Sequence, residues 1–157
     1  MKSQLKPLIA TLALAALLSG NAHAQATTGS LTGWEAFGDV VSAGGAITLT
    51  TAFLDGDADQ AGNLSGTSAI DVLFGDLAGK AGVDITALDI GDQFAVEGSL
   101  VKQSFNAAAG QTLSFDWSFA TLEATYLDHA FVVVDGTVFT LATTAQPGSG
   151  TQNRSFT

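Results

Sequence analysis

The chain of 157 residues contains no cysteine, two prolines, one tyrosine and only five lysines and arginines. The lack of cysteine excludes a disulfide scaffold, a thiolate metal site and cysteine catalysis. So few basic side chains cannot neutralise a phosphate backbone, which excludes nucleic acid as a partner. Against them stand 15 aspartates and glutamates, a formal net charge of −10 and 46% hydrophobic residues, too many for a disordered acidic tail. The composition predicts an acidic globular domain.

The N-terminus has the three parts of a secretory signal peptide. Lys2 and Lys6 form a basic region, residues 8–18 are an uncharged apolar run, and residues 22–24 read Ala-His-Ala, an A-x-A cleavage pattern. The apolar run is shorter than the roughly 20 residues that span a bilayer. We therefore expect export, cleavage after Ala24 and no transmembrane segment in the mature chain. The alternative, a buried N-terminal helix, leaves the lysines and the cleavage pattern unexplained.

The rest of the chain has the periodicity of short strands. Residues 113–119 alternate so that the apolar side chains, three of them aromatic, share one face, and the Thr-rich residues 46–53 alternate in the same way. Two further apolar runs flank Asp135-Gly136, a dipeptide that favours the type I′ turn of a β-hairpin.

One segment has helical spacing instead. Apolar residues at 70, 73, 74 and 77 predict a short helix, with Ser68 as its N-cap and Gly79 at its end. Many short strands, one short helix and 18 glycines predict an all-β fold, an antiparallel β-sandwich or barrel. We expect a signal peptide at 1–24, a flexible lead-in at 25–33 and a single β-sandwich domain at 34–157.

The densest group of oxygen ligands lies in one acidic loop. Asp55, Asp57, Asp59 and Asn63 are spaced so that they could converge on Ca²⁺, which takes about six to eight oxygens. The loop is not an EF-hand, because its sixth position is Gln60 rather than glycine and its twelfth is not glutamate. The loop is therefore a candidate Ca²⁺ site, and the alternative is a solvated acidic turn.

Catalysis has weak support in the sequence. His129 is the single histidine expected in the mature chain, no G-x-S-x-G motif accompanies it, and a structural role at a strand end is favoured over a triad. Asp84 and Asp89 are placed like turn or cap residues. Glu97, directly before a strand, either binds an ion or accepts backbone N–H bonds, and the spacing of the acidic residues indicates no glycosidase pair.

Aromatic residues offer a second type of site. Trp117 shares a strand face with apolar residues and is expected in the core, whereas Trp34 and Tyr126 lie in less regular segments. We therefore consider Trp34 and Tyr126 as candidate platforms on which a sugar ring could stack. The alternative for each is an ordinary buried aromatic residue.

Several segments together resemble a family of secreted bacterial proteins. The matching stretches are Gly33-Trp34-Glu35, Gly38-Asp39-Val40, residues 63–67, 73–88, 97–99, 102–105 and 109–119, and residues 128–134. They are similar to the PEP-CTERM class, which exosortases sort in Gram-negative and cyanobacterial species that make exopolysaccharide. The resemblance covers most of the expected mature chain and depends on strand and turn patterns, with no catalytic signature.

This resemblance implies a jelly-roll or galactose-binding-like sandwich with further strands after residue 157. It also implies a C-terminal Pro-Glu-Pro motif, an apolar helix and a basic end, which the sequence does not contain. We therefore expect an incomplete domain that lacks the sorting signal. The predicted function is that of a non-enzymatic protein of the cell surface or matrix, with Ca²⁺ as the one candidate cofactor. Its expected partners are extracellular polysaccharide or cell-surface components, and the alternatives are a carbohydrate-binding module and, less favoured, a secreted hydrolase.

Overall fold

The computed structural model describes residues 15–16, 22–27, 31–56, 58–91, 93–105, 110–121 and 128–155, and it describes no side chains before residue 31. Within these segments the protein is mostly β, with antiparallel strands and one short α-helix, as the sequence predicts. The strands are β1 (Ala15–Ala16), β2 (Ala22–Thr27), β3 (Glu35–Phe37), β4 (Val40–Ala43), β5 (Ala46–Thr50), β6 (Ile70–Asp71), β7 (Glu97–Gly98), β8 (Leu100–Lys102), β9 (Thr112–Thr121), β10 (His129–Val134), β11 (Thr137–Thr143) and β12 (Gly148–Ser155). Helix α1 spans Leu77–Ala81, and 3₁₀ helices span Ala58–Gly62 and Ile85–Leu88. None of the helices in the described segments is long and apolar enough to cross a membrane.

Two sheets contain most of the paired strands. The larger has the order β12-β9-β2-β5-β4 and the smaller the order β1-β10-β11, while β3 pairs with β8 and β6 with β7. All of these pairings are antiparallel. Strand β2 runs through the predicted cleavage position after Ala24, and residues 25–27 of the expected lead-in pair with β5 and β9.

Strand β10 is buried on both faces because it lies between two groups of core side chains. Phe131 and Val133 pack with the apolar face of α1, whereas Ala130 and Val132 point the other way, towards residues of β5 and β9. The aromatic face predicted for β9 is confirmed, with Phe115 and Phe119 buried in this second direction.

The predicted hairpin is also confirmed. Strands β10 and β11 pair from Phe131 and Thr140 up to Val134 and Thr137, so that Asp135 and Gly136 form a two-residue turn. Both turn residues have positive φ, 50° and 72°, as a type I′ turn requires.

The predicted start and end of the helix are both wrong, since α1 continues through Gly79 to Ala81 and Gly82 is its C-cap. Residue 70 lies in β6, and α1 begins only after Asp76, whose side chain accepts a hydrogen bond from Gly79 N–H. A tight turn precedes the helix, in which the Asp71 carboxylate accepts from Phe74 N–H at 2.6 Å. At Gly75 the backbone passes so close to Ile70 that a Cβ would lie 2.3 Å from its Cγ2. This local competition for the backbone overrides the apolar spacing.

Candidate functional site

The acidic loop predicted to hold Ca²⁺ includes one of the 3₁₀ helices. Asp55 is exposed just before it, and Gly56 N–H donates to the Gln60 side chain at 2.8 Å. Asp57 lies outside the described residues, and Asp59 is described in its backbone only, within the helix Ala58–Gly62. The convergence of these carboxylates on an ion therefore stays a prediction.

Asn63, the fourth candidate ligand, holds the backbone of its own loop. Its amide nitrogen donates to Thr67 O at 2.7 Å and to Ala52 O at 3.3 Å. Its amide oxygen accepts from Gly66 N–H at 2.7 Å. Both ends of the amide group thus fix the turn that follows the 3₁₀ helix, which is a structural role that the ligand spacing did not indicate.

The buried carboxylate of Asp39 holds the segment that directly follows the candidate loop. Asp39 is 0% exposed and lies directly before β4. Its Oδ1 accepts from Ser65 N–H at 2.7 Å, and its Oδ2 accepts from Leu64 N–H at 2.9 Å and from the Thr50 hydroxyl. Charge-assisted bonds of this kind are stronger than neutral ones. One carboxylate therefore joins the loop to the end of β5.

A buried serine completes this arrangement on the backbone side of Asp39. Ser99 is 0% exposed, its hydroxyl oxygen accepts from Asp39 N–H at 2.8 Å, and its hydroxyl donates to Thr50 O at 2.6 Å. The Thr50 hydroxyl oxygen accepts in turn from Ala52 N–H at 3.1 Å. We refer to Asp39, Thr50 and Ser99 as the Asp39 network. It connects the start of β4, the end of β5 and the segment before β8.

The chain matches no protein-family model, no curated protein and no solved structure. The PEP-CTERM resemblance thus stays an expectation from the sequence, and the function has to be argued from the chain's own residues.

The two candidate sugar platforms are placed differently. Trp34 is half-buried and packs against the core side chains around Phe119 and Phe115, so only part of its ring system faces solvent. Tyr126 lies outside the described residues. The expected core position of Trp117 is partly met, since this residue is half-buried beside the same core residues.

His129 lies at the start of β10, where the sequence predicts a structural histidine. It is 3% exposed, and its ring lies 5.3 Å from that of Phe131, centroid to centroid. Burial lowers the pKa of His129 to about 4, because the apolar surroundings disfavour the charged ring. Its neighbour Asp128 is also buried, and one of its carboxylate oxygens accepts from the Thr121 hydroxyl. The burial and neutral state of His129 favour a structural role for this residue.

The other acidic candidates are engaged at helix ends and turns. Asp84 caps the second 3₁₀ helix by accepting from the Thr86 N–H and hydroxyl, and these bonds lower its pKa. Asp89 ends the same helix and accepts from Ala95 N–H at 3.1 Å. The predicted cap roles of Asp84 and Asp89 are confirmed. Within the described segments, no three His, Cys, Asp or Glu side chains lie together as a metal site would require.

Sequence reasoning missed the Asp39 network. The Asp39 carboxylate binds groups that are 11, 25 and 26 residues away, and its amide binds a side chain 60 residues away. The one local signal is Gly38-Asp39. Gly38 has φ 85°, and a Cβ there would lie 2.4 Å from the Ser99 hydroxyl oxygen. A glycine-aspartate pair directly before a strand is the kind of signal that could have indicated a fixed, close-packed turn.

Proposed function

We propose that this protein is a non-enzymatic protein of the bacterial cell exterior, which associates with exopolysaccharide or acts in adhesion at the cell surface or in the matrix. The signal-peptide pattern of residues 1–24 supports export. The excess of 15 acidic over 5 basic residues suits an extracellular surface that stays soluble and binds cations or polar polymers.

The hydrogen bonds of the buried polar side chains are the observation that supports the non-enzymatic part of the proposal. Enzymes direct such groups at a substrate. Here the Asp39 carboxylate, the Thr50 hydroxyl and the Ser99 hydroxyl are all bonded to each other or to the backbone. His129 is enclosed and neutral at physiological pH, because burial lowers its pKa to about 4. The Asp39 network thus holds the fold together, and His129 is kept away from solvent.

Calcium is the proposed cofactor, bound by the loop that contains Asp55, Asp57, Asp59 and Asn63. The Asp39 network and the Asn63 amide hold the segment that follows these aspartates in one conformation. Because these bonds hold residues 63–67 in place, this part of the site would lose less conformational entropy on binding than a free segment would.

The calcium proposal is tested by calorimetry of the purified protein. We expect the melting temperature to rise with Ca²⁺ and to fall with EDTA, and D59N to abolish the difference. Asp116 is exposed on β9, outside the loop, so D116N is the control that removes the same charge and keeps the response. A melting temperature that is independent of both additives would disprove the ion site.

The main proposal is tested by secretion and co-sedimentation. The full chain, expressed in a Gram-negative host, should be found outside the cytoplasm with Gln25 as its first residue, as determined by mass spectrometry of the intact protein. The purified protein should sediment with isolated acidic exopolysaccharide in the presence of Ca²⁺ and remain in solution with neutral dextran. Retention in the cytoplasm, or equal behaviour with both polymers, would contradict the proposal.

A carbohydrate-binding module is the second candidate, favoured by the partial exposure of Trp34 beside the core. It predicts quenching of tryptophan fluorescence by oligosaccharides and a weaker response in W34F, which keeps most of the packing. An equal response in W34F and the wild type would exclude Trp34 as the platform.

A further inference from the structure

One corner of the protein presents large apolar side chains to solvent. Leu73 and Phe74 are 68% and 88% exposed, and Phe94 and Val96 are 82% and 60% exposed. We refer to these four residues as the apolar corner. Folded domains bury such side chains where they can, and contiguous exposed apolar patches mark interaction sites.

The two halves of the apolar corner are brought together by a short ladder. Strands β6 and β7 are antiparallel, and Val72 N–H extends their pairing by donating to Val96 O at 2.7 Å. Residues 73 and 74 follow β6, whereas residues 94 and 96 precede β7. Because the strands are antiparallel, both segments leave the ladder at the same end.

Hydrogen bonds hold this corner in place. The Asp71 carboxylate fixes Phe74 through its N–H, and the Asp89 carboxylate accepts from Ala95 N–H, between the two apolar residues of the second segment. Gly75 N–H donates to Asp71 O at 2.9 Å and closes the turn. The exposed rings are therefore carried by fixed backbone, which lowers the entropy lost when a partner binds.

The charged side chains described on the two segments of the apolar corner, and at the helix ends next to them, are acidic. Acidic side chains on the same segments and at the adjoining helix ends are Asp71, Asp76, Asp89 and Glu97. The basic residue of α1, Lys80, lies over the Phe37 ring at 5.5 Å from its centroid. If a second copy of the chain bound with its own apolar corner on this one, four carboxylates would face four others, and their repulsion would disfavour the complex. The complement of this surface is apolar and basic.

We propose that the apolar corner docks a cationic amphipathic segment of another protein, with apolar side chains against the two phenylalanines and lysines or arginines beside the carboxylates. The inference rests on the proposed function and deepens it by naming a class of protein partner. The two proposals can fail separately, because peptide binding and polysaccharide sedimentation are measured in different assays.

The test uses a fluorescein-labelled amphipathic peptide of leucine and lysine, with a scrambled peptide of the same composition, measured by fluorescence anisotropy. We expect the amphipathic peptide to bind more tightly than the scrambled one. The double variant F74S/F94S should weaken binding roughly tenfold or more, because two apolar contacts are lost. The control L64S removes an exposed leucine elsewhere, and it should bind like the wild type. Since Phe74 and Phe94 are largely exposed, the melting temperature of F74S/F94S should equal that of the wild type.

A second pair of variants tests the role of charge. D71N/E97Q and D116N/D135N both reduce the net negative charge by two, and only the first pair borders the apolar corner. We expect D71N/E97Q to weaken binding more and to reduce its salt dependence more than the control pair does. Equal effects of the two pairs, wild-type affinity in F74S/F94S, or concentration-dependent dimerisation that F74S/F94S abolishes would each overturn the proposal.

Discussion

The Asp39 carboxylate can be removed with almost no change in shape by the substitution D39N. The wild-type side chain accepts three hydrogen bonds, from Ser65 N–H, Leu64 N–H and the Thr50 hydroxyl, and it is fully buried. Asparagine has one acceptor oxygen, and its NH₂ group can only donate. Whichever way the amide is turned, at least one N–H of the loop faces another donor.

The cost follows from the number of bonds lost. A hydrogen bond to a charged acceptor contributes about 1.5–3 kcal/mol, and a buried donor left without an acceptor costs about 1–3 kcal/mol. We therefore expect D39N to reduce the free energy of unfolding by roughly 2–3 kcal/mol, since one carboxylate oxygen is replaced by a donor. D39A removes both oxygens and should cost roughly 3–5 kcal/mol. Either loss is a large fraction of the stability of a domain of this size.

Urea denaturation followed by tryptophan fluorescence measures this change, because Trp34 and Trp117 both pack against the core. The matched control is D135N, which removes the same charge from an exposed turn whose positive φ asparagine also adopts readily. It should change stability by less than about 0.5 kcal/mol. In D39N, hydrogen exchange should also accelerate at the amides of Leu64 and Ser65. Equal stability of D39N and D135N, or unchanged exchange at these two amides, would refute the reasoning.

Three further predictions concern packing, pH and processing. G38A should destabilise the protein much more than G44A. Both glycines have positive φ, but a Cβ at Gly38 would clash with the Ser99 hydroxyl, whereas the space at Gly44 is open. The midpoints of urea unfolding measure this difference, and equal midpoints would contradict the prediction. Burial lowers the pKa of His129 from 6.5 to about 4, so that between these pH values the unfolded chain binds the proton and the folded chain does not. The free energy of unfolding should therefore fall as the pH decreases from about 6.5 towards 4, by up to roughly 3 kcal/mol. H129Q should flatten this part of the pH profile in parallel urea titrations, and a profile equal to that of the wild type would assign the pH dependence to other groups. Cleavage after Ala24 would leave residues 25–27 of β2 to pair with β5 and β9. A chain that begins at Gln25 should therefore retain the β-type circular dichroism spectrum of the full chain. Loss of that spectrum would show that the whole of β2 is required.

Local patterns predicted the elements whose stability is itself local. The aromatic face of β9 follows from strict alternation, and the β10–β11 turn follows from two residues that favour positive φ. The helix start was wrong because the apolar spacing from residue 70 onwards competes with a tight turn. The sequence contains the signs of that turn, since Asp71 binds the backbone at Phe74 and Gly75 permits a close approach to β6. Periodicity alone gives these side-chain-to-backbone bonds no weight.

The Asp39 network could not be derived in this way, because its partners are brought together only by the complete fold. A serine at position 99 and a threonine at position 50 carry no signal that they will meet the same aspartate. The candidate Ca²⁺ loop, by contrast, was predicted from its density of carboxylates. Among its described contacts, Asn63 is bonded to backbone groups. If the loop binds an ion, its geometry depends on Asp39, since this carboxylate fixes the backbone at residues 64 and 65 directly after it. A residue that contacts no ligand would then set the affinity of a site formed by its neighbours.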